Sequence, residues 1–145
     1  MRIFRMSVAG AAGLLAGMAG VAAMAMAPAA GPLRPLSARD QRALPGEDCP
    51  LFFETGRSTL AYIVDQDFMI RTAAGRTVCR ISDSEAVSLW DRGGSHSCGG
   101  LRLTFRLTGA SVTQEANDRA SVPATLTVTG AGRPWTVRGD LRTQC

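Results

Sequence analysis

Lysine is absent: all sixteen basic residues are arginine. That excludes a Schiff-base amine, a Ser-Lys dyad and the lysine of a phosphate-binding P-loop. Histidine occurs once, as His96. A lone imidazole cannot supply a multi-histidine metal site, and any Ser-His triad would have to use it as base. No G-x-S-x-G stands in the chain to serve such a triad. Of the six methionines only Met69 lies beyond the first 26 residues, so a methionine-based copper site is excluded. C-x-x-C is also missing. Cys49, Cys79, Cys98 and Cys145 stand 30, 19 and 47 positions apart, unlike a zinc knuckle or a redox pair.

Charge is missing from a long early stretch as well. After Arg2 and Arg5, no ionisable side chain occurs from Met6 to Leu33. A basic head, an apolar middle and an exit of small residues with A-x-A at 23–25 and 25–27 predict a secretory signal peptide over 1–27. The rival reading is an uncleaved N-terminal anchor, since the run is long enough to span about 30 Å of hydrocarbon. Its Ala and Gly content gains little from lipid. Both readings export the remainder, because the arginine pair stays on the cytoplasmic side. The expected location is therefore periplasmic or secreted, with membrane contact only through a retained leader. The arginine-only, alanine-rich composition suggests a GC-rich bacterium.

All twelve acidic residues follow the leader, against fourteen arginines, so the exported part carries only about +2. Bulk charge at that level does not predict nucleic-acid binding.

Residues 28–46, PAAGPLRPLSARDQRALPG, hold four prolines and no apolar period. They read as a linker or loosely ordered arm, with one short helical turn in SARDQRAL. The folded domain is expected over 47–145. There the dominant signal is period two. In LRLTFRLT, Leu101, Leu103, Phe105 and Leu107 take one face, and Arg102, Thr104, Arg106 and Thr108 the other. ATLTVTG (124–130) and WTVRGDLR (135–142) repeat the pattern. The short GAGR link between them predicts a hairpin, and Pro123 suits a strand start. LFFET, TLAYIV, DFMIRT and TVCRIS add four strands. SDSEAVSLWD is the one longer helix candidate, with Ser82 and Glu85 at capping-box spacing and Gly93-Gly94 as the stop. The expected fold is mainly β: a small antiparallel sandwich or barrel of about seven short strands with at most one short helix, preceded by the signal peptide and the proline-rich arm.

An even number of cysteines in an exported chain predicts two disulfides. Three connectivities exist; Cys79–Cys98 with Cys49–Cys145 is favoured, one closing a modest loop and the other tying the domain ends. That makes Cys98 structural and leaves His96, within DRGGSHSCGGL (91–101), as a solvated loop residue. A thiol, metal or small-hydrolase site around His96 and Cys98, with Asp65 and Asp67 as paired carboxylates, is the weaker alternative. Zinc on one His and three Cys fits poorly with export. The DQD stretch does not meet the EF-hand pattern and reads as a polar turn or strand edge. No cofactor is expected.

If the last three strands are neighbours, Arg102, Arg106, Arg138 and Arg142 share one polar face with six threonines, opposed only by Asp140. Guanidinium forks grip carboxylates and phosphates in pairs. The leading expectation is thus an exported, non-enzymatic envelope module whose arginine face contacts an anionic envelope polymer or an acidic partner protein. The alternative is an inhibitor of a secreted hydrolase, a protease or lysozyme, using loop 91–100.

Overall fold

Period-two alternation becomes pleated sheet along most of the domain. The computed structural model describes residues 30–145; the expected signal peptide lies outside the described residues. The elements run α1 Ala38–Arg42, β1 Leu51–Thr55, β2 Ser58–Val64, β3 Asp67–Thr72, β4 Gly75–Arg80, α2 Asp83–Arg92, β5 Gly94–Cys98, β6 Leu101–Leu107, β7 Val112–Gln114, a 3-10 turn Glu115–Asn117, β8 Arg119–Thr129 and β9 Trp135–Gln144. Every pairing is antiparallel. The order β4-β3-β2-β1-β9-β8-β6-β5 curls into a nearly closed barrel, with β7 attached to β8 off this path.

Two of these nine strands exceed the seven expected. β5 is GSHSC, which has no apolar alternation to reveal it, yet it pairs residue for residue with β6 from Gly94↔Phe105 to Cys98↔Leu101. β7 is three exposed residues. Pro123 lies inside β8 rather than at its start. It sits where the neighbour of β8 changes from β7, opposite Ser121, to β6, opposite Ala124. Its missing N–H falls in that gap, while its carbonyl still accepts the Thr108 N–H at 2.8 Å.

The inward positions of the strands fill the barrel. Leu103 and Phe105 of β6 meet Val128 and Leu126 of β8, all essentially inaccessible to solvent. The Phe105 ring packs edge-on to Phe53 at 5.8 Å and Phe68 at 6.4 Å, joining three walls. α2 lies over one end. Its N-terminus is fixed by the Ser82–Glu85 capping box, Leu89 is buried, and Ala86 and Trp90 pack on the core. It stops at Gly93, where φ is +74° and an added Cβ would stand 2.3 Å from the Phe105 carbonyl oxygen. Only glycine fits both demands.

β4 and β5, the two ends of the sheet order, do not pair with each other. The Cys79–Cys98 disulfide joins them across this seam, with Cα atoms 5.7 Å apart. Cys49–Cys145 ties the chain just before β1 to the chain just after β9. Both favoured bridges are present.

The arm is more ordered than its composition predicts. Leu33 enters the main core, the Arg34 N–H donates to the Arg71 carbonyl at 2.8 Å, and Leu36 bridges to Thr59. Ser37 caps α1 through a reciprocal box with Asp40. The segment lies over the outer side of β2 and β3, where Val64 and Met69 are buried. Single anchoring residues do this work, so no periodic signal announces it.

Loop-closure entropy sets the expected cost of opening the seam. The bridge separated by 19 residues should contribute about 3 kcal/mol. The Cys79→Ser/Cys98→Ser variant should therefore lose about that much unfolding free energy in a urea titration. A loss below about 1 kcal/mol would contradict a closing role for this bridge.

Candidate functional site

The register of the last strands assembles the arginine face. β6, β8 and β9 are neighbours, and Arg106 and Arg138 both stand opposite Thr125, one on each side of β8. Adjacent strands lie about 4.8 Å apart, so the two Cα atoms are separated by about 10 Å. Arg102 pairs with Thr129, four register positions further along. Between these rows, Thr104, Thr127 and Thr136 stand in line, with Thr127 and Thr136 hydroxyls at 2.8 Å. Arg102, Arg106 and Arg138 are exposed, and among the described residues none of them has an ion pair. Arg142 differs. Its guanidinium pairs with Glu54 of β1 at 2.8 Å, beside a hollow of about 180 Å³ lined by Phe52, Val112 and Arg119. Among the described residues the face thus holds three arginines without an ion pair and one paired with Glu54, with Asp140 two residues from Arg138 on β9.

The stretch 91–100 is not a protruding loop. It comprises the end of α2, Gly93, β5 and the exposed Gly99-Gly100 turn into β6, so only that turn is free of regular structure. His96 is not a solvated residue either. Its register partner is Leu103, and the ring points into the barrel, packed at a tilt against Phe68 with centroids 4.9 Å apart. Nδ1 lies 3.9 Å from Glu85 Oε1. Nε2 is buried with no hydrogen-bond partner among the described residues. The Ser82 backbone and hydroxyl donors, with His96 as a smaller influence, hold the Glu85 carboxyl below its usual range. Cys98 is disulfide-bonded, and no described cysteine is free, so a Cys-His thiolate pair is not formed.

Asp65 and Asp67 have separate duties. Asp65 occupies the left-handed turn between β2 and β3 at φ +51° and accepts the Asp48 N–H. Asp67 opens β3 and pairs with Arg80 at 2.8 Å. Among the described residues, no three of His, Cys, Asp and Glu are grouped to hold a metal ion. No described helix is long and apolar enough to cross a membrane.

Two constellations escaped sequence reasoning. One is Asp40 on α1, 4% exposed, held by Arg71 and approached by Arg76. Its partners come from β3 and β4, more than thirty residues away, so only folding reveals the cluster. The other is a cleft at the α2 end of the barrel. It is lined by Leu51, Ile63, Ala86, Val87 and Trp90, with Asp48, Asp65 and Asp83 around it. Its apolar residues come from three distant segments, so no local pattern in the sequence joins them. Comparison with family models, with curated proteins and with solved structures finds no match to this chain.

Asp40 carries a pH signature. The Arg71 hydrogen bond, then the Ser37 N–H, outweigh burial and hold its carboxyl well below the carboxylate range. A depressed carboxylate stabilises the fold fully above its unfolded pKa, near 4, and loses that contribution as pH falls through the lower folded value. At pH 7 Asp40→Asn should cost about 2 kcal/mol. The gap from the native protein should narrow as pH drops below about 4. Urea titrations at several pH values check this, and a gap independent of pH would contradict it.

Proposed function

We propose that the protein is an exported, non-enzymatic binding module of a bacterial envelope, acting in the periplasm or outside the cell. It holds an anionic ligand, an envelope polymer or an acidic partner surface, on the outer face of β6, β8 and β9. One observation carries this reading: Arg102, Arg106 and Arg138 share an exposed, threonine-lined sheet face, and none of them forms an ion pair among the described residues. Three arginines spread over neighbouring strands, two of them with Cα atoms about 10 Å apart, match the repeated charges of a polyanion better than a single small ion. Threonine hydroxyls between them can donate to the same oxygens. The two disulfides fit an oxidising compartment and support the exported location. A rigid barrel with bonded edges also suits a module that presents a surface without rearranging.

Immobilised polyphosphate and polyglutamate serve as phosphate and carboxylate probes. The native protein should be retained on at least one at low salt and released as salt rises, as screening requires. Arg102→Gln/Arg106→Gln/Arg138→Gln should weaken retention by about ten-fold, while thermal stability stays within about 0.5 kcal/mol of native. Undiminished retention of the triple variant, or none by the native protein, would reject this face.

A further inference from the structure

We infer that the cleft at the α2 end of the barrel is a second binding site, for a peptide segment that places a bulky apolar side chain between basic residues. The site is separate from the arginine face and does not depend on it. The cleft encloses about 280 Å³. Leu51 and Ile63 form its floor and belong to the main core, so an entering group meets a fixed apolar surface. Ala86, Val87 and Trp90 of α2 form a wall. Val87 is 58% exposed although it is β-branched and stands on a helix whose other face is buried. Next to the half-buried Trp90 it makes apolar surface with no partner among the described residues. The volume lies just under the range of small-molecule pockets, and the cleft is open to solvent. It accommodates a side chain from a passing chain rather than an enclosed cofactor.

The rim selects the charge of the occupant. Asp48, Asp65 and Asp83 line the cleft, and no described arginine does, in a chain where arginine outnumbers acid. None of the three carboxylates forms an ion pair among the described residues. Asp65 is positioned by its left-handed turn and by the Asp48 N–H at 3.2 Å. Asp83 begins α2, within 3.5 Å of the Gln66 amide nitrogen. Carboxylates therefore approach from the strand side and from the helix side of one apolar floor. An anionic or purely aliphatic ligand would leave them uncompensated. Basic side chains with long apolar stems can lie along the walls and bring their heads to this rim. Charge complementarity of this kind sets specificity and association rate.

The test uses labelled peptides containing Arg-Phe-Arg, Glu-Phe-Glu or Arg-Gly-Arg, followed by anisotropy with the full domain. The Arg-Phe-Arg peptide should bind at least about ten-fold more tightly than either control. In a Trp135→Phe background, where Trp90 is the sole tryptophan, its emission should shift to the blue as the peptide covers the indole. Asp48→Asn/Asp65→Asn/Asp83→Asn should reduce affinity by about ten-fold; asparagine tolerates the left-handed turn at 65, so the fold is kept. Val87→Ser should weaken binding without altering its salt dependence. The variant lacking Arg102, Arg106 and Arg138 should bind the peptide unchanged, which separates this site from the arginine face. Equal binding of Arg-Phe-Arg and Glu-Phe-Glu, an unaffected asparagine variant, or no binding at all would each overturn the inference.

Discussion

The covalent closure of one seam governs this fold. A sheet ordered from β4 to β5 has two exposed edges, each a row of unpaired backbone groups. Full barrels remove such edges by hydrogen bonding. Here the final pairing is missing, and the Cys79–Cys98 bridge substitutes for it, one sulfur from each edge strand. Ring packing continues behind the seam: Phe68 of β3 meets both Phe105 of β6 and His96 of β5. α2, the connection between the two edge strands, covers the adjoining end of the barrel, and Glu85 at its first turn reaches back to His96. Cys49–Cys145 performs a different task. It fastens the chain ends beside the already paired β1 and β9, and so restrains fraying.

A barrel locked in this way presents its surfaces at fixed positions. The outward side of β6, β8 and β9 is cationic, with three guanidiniums free and a fourth held by Glu54. The α2 end is acidic around an apolar floor. In a third charged cluster, the single Asp40 carboxylate stands between Arg71 and Arg76 and fastens the N-terminal arm. Charge that finds a partner within the chain stabilises the fold, while the proposed binding surfaces rest on charge left without an ion pair. That distinction separates Asp40 and Arg142 from Arg102, Arg106 and Arg138.

Much of the barrel was legible from residue order. Alternation at 101–108, 124–130 and 135–142 located strands and faces, because one buried face imposes a period of two. Ser82, Glu85 and Gly93 marked both ends of α2, since helix ends need those groups locally. Cysteine parity and domain size pointed to the observed bridges. Legibility failed where structure depends on distant partners. β5 has small polar residues and a histidine, and it is a strand only because β6 supplies its ladder. His96 therefore looked solvated but faces inward. The arm seemed loose because Leu33, Leu36 and Asp40 act singly, each on residues far along the chain. The arginine face could be proposed from alternation, but the Arg142–Glu54 pairing required knowing that β1 lies beside β9. The acidic cleft was invisible for the same reason.

Native-state hydrogen exchange of the protein and of its Cys79→Ser/Cys98→Ser variant tests the seam most directly. If the bridge holds the sheet edges together, amides of β4 and β5 should open locally in the variant and lose more protection than the roughly 100-fold that the lower global stability costs β8 and β9. Equal loss of protection along every strand, or no change at β5, would contradict the account.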